Sequence, residues 1–178
     1  MMSPEEAIEK SLICISRAEL PWERPDGGRR GVNEGPTWVD IPNVFRGIVY
    51  SANGSWTSDY KLGLIALQGE LTNPQSWHKR HTPLLESDRG EHGPYGPGHA
   101  RFIASPYNDG KVFCIYHATG NIDQGWDNRK ARVLCLTADH FHPEARPLCC
   151  SGLGGAQQHS TGVASPARCR SQGFVPYG

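Results

Sequence analysis

The pattern of apolar and polar positions between residues 31 and 136 predicts a series of short β-strands. Apolar runs such as 62–67 and 132–136 have strand length and are rich in Val, Ile, Leu and aromatic residues. Turn residues bound these runs, above all the pair Asn53-Gly54 and the triplet at 108–110. The pattern therefore predicts an all-β fold.

Part of this region repeats itself. The segment 47–54 is similar to the segment 113–120, with matching residues at a constant offset of 66 positions, namely Tyr50 and Tyr116, Ala52 and Ala118, and Gly54 and Gly120. A unit of strand, turn and strand that recurs along a chain is typical of the blades of a β-propeller. Two copies also occur in a plain antiparallel sandwich, so that alternative stays open at this point.

Composition agrees with a turn-rich domain. The chain has 178 residues, of which 21 are Gly and 14 are Pro, so long helices are not expected. Lys and Arg together number 18, as do Asp and Glu, and this balance argues against nucleic acid or an anionic membrane as partner. No stretch approaches the ~18 apolar residues of a membrane span. The six cysteines lack the spacing of a disulfide framework.

The last 31 residues differ from the rest. Residues 148–178 lack periodicity and are rich in Gly, Ser and Gln, which predicts an irregular or disordered tail. We therefore divide the chain into a β-domain, residues 1–147, and a tail, residues 148–178. The abrupt change of composition further suggests that the tail is not native to the domain.

Two polar side chains stand where a propeller would place them at its axis. Glu34 precedes a predicted strand, and His99 falls nearly at the same place one repeat later, where Ala100 aligns with Glu34 under the offset of 66. The innermost strand of each blade faces the central channel, so a carboxyl at its start could donate a proton to a substrate. The alternatives are a solvated turn glutamate and a structural histidine. Tryptophan rings can stack on sugar rings, and Trp56 in the loop after Asn53-Gly54 is the candidate for that role. The alternative for the five tryptophans is packing inside or between blades.

Several blocks between residues 20 and 140 resemble one known family. The chain is similar to the C-terminal part of glycoside hydrolase family 43, closest to the arabinofuranosidase and arabinanase-like members with a five-bladed propeller. The blocks that carry the resemblance are Val32-Asn-Glu-Gly-Pro36, Tyr50-Ser-Ala-Asn-Gly-Ser-Trp-Thr-Ser-Asp-Tyr60, Tyr95-Gly-Pro-Gly-His99, Tyr116-His-Ala118 and Gly125-Trp-Asp-Asn-Arg129.

The resemblance implies a fold and an activity. The fold is a partial five-bladed β-propeller of about two to three blades, and the activity is inverting hydrolysis of α-L-arabinofuranosyl linkages in plant cell-wall polysaccharide. The resemblance also implies an extracellular location for the protein. Glu34 matches the family's general acid, and His99 matches a channel histidine that faces a central calcium ion, often through water. Arg129 matches an arginine that contacts substrate.

The resemblance also implies what is missing. The family's two catalytic aspartates belong to blades that would precede residue 1, so we expect a truncated form with low or no activity. Two alternatives remain: a non-catalytic carbohydrate-binding propeller remnant, and a chain that does nothing on its own.

Overall fold

The computed structural model describes residues 12–25, 28, 30–90, 93–123 and 126–150. Within these ranges the chain forms strands and short 3-10 turns and contains no α-helix. The strands are β1 (Asn33–Ile41), β2 (Phe45–Ala52), β3 (Lys61–Leu67), β4 (Trp77–Lys79), β5 (Leu85–Glu86), β6 (Tyr95–Ala104), β7 (Val112–Thr119), β8 (Lys130–Leu136) and β9 (Leu148–Cys149).

The first sheet is built on an antiparallel meander of β1, β2 and β3. Asn43 and Asn53 follow β1 and β2 with φ of 59° and 71°, a left-handed conformation that asparagine tolerates in turns. Tyr50 pairs with Gly63, where an added Cβ would lie 2.4 Å from the Tyr50 ring, so the register requires glycine there. At the outer edge β4 and β5 both pair with β3, and β9 runs parallel to β5.

The second sheet is a three-stranded antiparallel meander of β6, β7 and β8. Its central strand β7 is equivalent to β2 at the predicted offset of 66. The turn between β6 and β7 contains Asn108 and Gly110, both with positive φ. This turn is two residues longer than the one between β1 and β2, so β6 matches β1 at an offset of 64.

The two sheets pack against each other around one apolar core. Its buried members come from both sheets and include Val49, Leu64, Val112, Tyr116 and Leu136. A smaller cluster of Tyr50, Ala52 and Ile65 is packed against Trp22, Ile48 and Trp77. The prediction of an all-β, partial propeller is therefore confirmed, with two open sheets as its blades.

The segment that precedes β1 is fixed to the first sheet by a buried carboxylate. Glu23 is fully buried, and its Oε1 accepts hydrogen bonds from the Tyr50 hydroxyl and the Lys79 ammonium, both at 2.7 Å. Burial raises the pKa of Glu23, but these hydrogen bonds and one from the Leu20 amide outweigh it and hold the pKa below its ordinary value. The charged, paired form is therefore the one that stabilises the fold.

Residues 148–150 contact the first sheet, because Leu148 and Cys149 pair with β5 and the Cys150 side chain is buried. The rest of the predicted tail lies outside the described residues, so the division at residue 147 stays a prediction. None of the helical turns in the described ranges is long and apolar enough to cross a membrane.

Candidate active site

A bulge of the same kind interrupts the innermost strand of each sheet. In β1 the register shifts between Glu34 and Thr37, and Gly35 has a φ of 55°. In β6 it shifts between Gly98 and Arg101, and His99 has a φ of 53°. Pairing with β2 and β7 makes Gly98, not Ala100, the equivalent of Glu34, so the predicted alignment was wrong by two positions. His99 is the equivalent of Gly35.

The Glu34 carboxylate is held by a tyrosine. Glu34 is exposed, and its Oε1 accepts a hydrogen bond of 2.5 Å from the Tyr60 hydroxyl. Tyr60 is only 1% exposed, and burial, together with this hydrogen bond, raises the pKa of its hydroxyl far above the ordinary value. The hydroxyl therefore stays protonated and acts as the donor, which leaves Oε2 of Glu34 open to solvent or a ligand.

His99 lies beside Glu34's strand because the two bulges face each other. Its amide donates a hydrogen bond of 2.8 Å to the Ser51 hydroxyl of β2. Its ring lies against Gly35, where an added Cβ would approach Nδ1 to 3.3 Å. The left-handed backbone at His99 is uncommon for a residue with a side chain, and such conformations cluster at functional sites.

His117 on β7 joins His99 to Tyr60. Its ring stacks on both neighbours with centroid distances of 6.2 Å. Nδ1 of His117 lies 3.1 Å from the Arg129 guanidinium, which can only donate, so Nδ1 accepts and the proton of the neutral ring is on Nε2. Burial lowers the pKa of His117, and the positive charge of Arg129 and the neighbouring His99 lower it further.

Arg129 fixes the second sheet's loop against the first. Its guanidinium donates to the Gly96 carbonyl at 2.7 Å and to the Ser55 carbonyl, in addition to the bond with His117. It also lies over the Tyr60 ring at 5.6 Å from the centroid. Arg129 thus supplies a positive charge two contacts away from the Glu34 carboxylate.

Two exposed tryptophans lie next to Arg129. Trp56 is 52% exposed and Trp126 is 66% exposed, and their rings meet edge to face at 6.4 Å. The Trp126 indole N–H donates to the Ser55 hydroxyl at 3.1 Å. The apolar surface of these rings is therefore open to a ligand that approaches Arg129.

The structure brings all four sequence-predicted site residues into one connected set. Glu34, His99 and Arg129 are linked through Tyr60 and His117, and Trp56 is linked to the set through the loop at Ser55. Sequence reasoning assigned no role to Tyr60, His117 or Trp126, although all three lie within the family-like blocks. None of the three precedes or begins an innermost strand, which is the position that pointed to Glu34 in the sequence.

The residues around His99 do not form a complete calcium site. Calcium prefers six to eight oxygen ligands. The neighbours of His99 are an imidazole, a serine hydroxyl and glycine backbone, and within the described ranges no group of three His, Cys, Asp or Glu is arranged for a metal. A calcium ion at this place would need oxygen ligands from elsewhere.

The arrangement is suited to proton transfer to a neutral, hydroxyl-rich ligand. It offers one accessible carboxyl, one guanidinium, two imidazoles and exposed aromatic faces. Within the described residues, the hydrogen bonds and ring contacts that connect to Glu34 include no second carboxylate. Among these described contacts there is one carboxyl that could donate a proton, and no second carboxylate that could activate water.

Comparison with known proteins gives sequence and structural relatives. No family model matches the chain. It is 35% identical over 113 residues to alpha-L-arabinofuranosidase B of Pyricularia oryzae, a match that spans 62% of this chain and 22% of that protein. It superposes on the crystal structure of alpha-L-arabinofuranosidase from Lactobacillus brevis with a TM-score of 0.56 and 28% identity, over 67% of this chain and 37% of that one.

A second solved structure, a thermostable family-43 glycoside hydrolase, covers 57% of this chain and 31% of its own length, with a TM-score of 0.46 and 28% identity. The matches to the arabinofuranosidases of Pyricularia oryzae and Lactobacillus brevis confirm the resemblance predicted from the sequence blocks. The chain spans about a fifth of the curated relative and little more than a third of the Lactobacillus brevis structure.

Proposed function

From its similarity to parts of two α-L-arabinofuranosidases, we propose that this chain carries the acid half of a glycoside hydrolase site for α-L-arabinofuranosyl linkages. One observation supports this above the others. Glu34, His99 and Arg129 come from separate segments of both sheets, and Tyr60 and His117 join them into one set. The substrate is a polysaccharide or oligosaccharide of the plant cell wall.

Glu34 is the general acid in this proposal. Its Oε2 carries the proton to the glycosidic oxygen, because Oε1 is already occupied by the Tyr60 hydroxyl. As the carbon–oxygen bond breaks, the proton moves to the leaving oxygen and Glu34 becomes a carboxylate. Tyr60 then stabilises that carboxylate through a hydrogen bond whose donor stays protonated throughout.

Arg129 and Trp56 contact the sugar, and His99 faces the channel. The Arg129 guanidinium is fixed by two backbone carbonyls, so it can orient a hydroxyl of the substrate without losing much side-chain entropy. A calcium ion near His99 and an extracellular location remain proposals carried by the resemblance alone.

Inversion requires a base on the face of the sugar opposite to the acid. We propose that this base and a second aspartate come from outside the contacts described here, and that the chain by itself therefore turns over slowly or not at all. The alternative is a carbohydrate-binding remnant without catalysis. The lack of a second carboxylate among the described contacts to Glu34 favours that alternative over an efficient enzyme.

The test separates the acid from the missing base. Azide is a nucleophile that can attack the sugar carbon without a catalytic base, so it can replace the activated water. The chain is therefore assayed in the presence of azide with two substrates. One is α-1,5-linked arabinotriose, whose leaving alkoxide needs a proton; the other is 2,4-dinitrophenyl α-L-arabinofuranoside, whose leaving group does not. We expect Glu34→Gln to lower the rate on arabinotriose by ~10²–10⁴ and to leave the rate on the aryl substrate within a few-fold.

The control is Glu70→Gln, at an exposed loop position remote from the site, and it should match the parent chain on both substrates. The product is the arabinosyl azide, and a β configuration by NMR supports inversion. Equal loss on both substrates would reject Glu34 as the acid. Arabinotriose binding that survives Glu34→Gln, with no product from any variant, would favour the binding remnant.

A further inference from the structure

Trp56 and Trp126 form an exposed pair of aromatic rings beside Arg129, and the proposed chemistry uses only Trp56 of the two. Trp56 comes from the turn after β2, and Trp126 comes from the loop before β8, so the pair spans both sheets. Exposed indoles are costly in water, and contiguous exposed apolar surface on a soluble domain commonly marks a binding site. The described part of the chain has other exposed aromatics, but these two are the ones joined to Arg129 through a shared residue.

That shared residue holds the pair in place. The Ser55 hydroxyl accepts from the Trp126 indole, and the Ser55 carbonyl accepts from Arg129. The Trp56 ring lies against Gly54, where an added Cβ would come within 2.9 Å of two ring atoms. The edge-to-face contact of the two tryptophans leaves a corner between their rings.

The chemistry of this corner fits a neutral sugar ring. The C–H groups of a furanose or pyranose can pack on an indole, while its hydroxyls need polar partners at the edge. Arg129 and the backbone of the loop at Ser55 supply that polar edge. A protein partner would be expected to use a wider apolar surface than two rings set on a polar loop.

We propose that Trp56 and Trp126 form a second sugar-binding position, which holds the ring next to the one whose linkage faces Glu34. This inference rests on the proposed function for the location of the cleaved bond, but the stacking itself needs only an oligosaccharide. The chain should then bind a trisaccharide more tightly than a single arabinose unit. The additional affinity comes from the sugar ring that packs between Trp56 and Trp126.

The test is calorimetric titration of the full chain with methyl α-L-arabinofuranoside, α-1,5-linked arabinotriose and xylotriose. We expect arabinotriose to bind about tenfold more tightly than the monosaccharide, as the burial of one sugar face on an indole implies. Trp126→Ala should remove this tenfold advantage and leave the monosaccharide affinity unchanged. Trp126→Phe, which keeps a flat ring, should restore most of it.

Trp38→Ala is the matched control, because Trp38 is 46% exposed and its ring meets Trp77 edge to face, away from the candidate site. It should leave all affinities unchanged. Equal affinity for monosaccharide and trisaccharide, or a Trp126→Ala chain that binds arabinotriose as the parent does, would overturn the inference, as would the absence of any binding. Trp126-dependent binding of xylotriose alone would support the second position and reject the arabinose assignment of the proposed function.

Discussion

Gly98 on β6 is the most sensitive point of the candidate site, and its replacement by alanine tests the packing directly. An added Cβ there would lie 1.7, 2.3 and 2.6 Å from three atoms of the Tyr60 ring. Its backbone φ lies outside the left-handed region, so alanine brings no conformational strain of its own. The whole cost of Gly98→Ala is therefore the overlap with one side chain.

The expected loss of stability follows from how far the Tyr60 ring must move and from the contacts that it then loses. Carbon atoms pack at about 3.5–4.0 Å, so the ring must move by roughly 2 Å. Overpacking of this kind costs ~3 kcal/mol. Moving the ring also breaks the hydrogen bond to Glu34 and the stack on His117, which adds ~1 kcal/mol. We expect Gly98→Ala to lower the free energy of unfolding by ~4 kcal/mol.

A double-mutant cycle with Tyr60→Ala isolates this clash. Removing the buried Tyr60 side chain alone should cost ~4 kcal/mol. Tyr60→Ala removes the three atoms nearest to the Cβ added at position 98, so the double variant should also lose ~4 rather than ~8 kcal/mol. Urea unfolding followed by circular dichroism gives the four free energies. Gly120→Ala, at a glycine with no atom within 4 Å of its added Cβ, should change the stability by less than ~0.5 kcal/mol.

Additive losses in the double variant would refute the reasoning, because they would mean that residue 98 and Tyr60 act independently. A Gly98→Ala chain as stable as the parent would refute it as well. In that case the Tyr60 ring could not occupy the space between β6 and Arg129, and the link from Arg129 to Glu34 would be broken.

Two further predictions concern the histidines. The pKa of His117 is lowered in the folded chain, so below about pH 6.5 the unfolded chain binds a proton at this residue more readily than the folded chain does. The free energy of unfolding therefore decreases as the pH falls. Urea midpoints at pH 7.5 and 5.0 should show that His117→Gln removes part of this loss, whereas His78→Gln, at an exposed position, does not. At His99 the left-handed backbone costs a side-chain-bearing residue ~1 kcal/mol, so His99→Gly should unfold at a higher urea concentration than His99→Ala, and the reverse order would contradict the backbone assigned there.

The elements could be predicted because strand length, turn residues and repetition are local signals. The turn at Asn53 and the repeat that relates β2 to β7 are both visible in the sequence and both occur in the fold. The alignment of Ala100 with Glu34 was wrong for a local reason as well: the turn between β6 and β7 is longer by two residues. An insertion inside one repeat changes the offset on one side of it only, and a single constant offset cannot describe that.

The site could be predicted only in part, because its contacts join residues far apart in sequence. Glu34 and His99 were predicted from their places at the strand starts. Tyr60 and His117 have no comparable signal in the sequence, because each is one of several aromatic or polar residues in or next to a predicted strand. Their role comes from the ring stack, which forms only when the two sheets pack.

That dependence on packing explains why the polar residues gather at one end of the two sheets. The contacts there cross from sheet to sheet, as His99 does to Ser51 and Arg129 does to Ser55. The apolar core fills the rest of the interface and sets the distance between the inner strands. The two bulges bring the ring of His99 in β6 against Gly35 in β1, which has no side chain in its way. The geometry of the site therefore depends on how the two sheets pack. A substitution that shifts one sheet against the other should displace the Glu34 side chain even where the substituted residue makes no contact with Glu34.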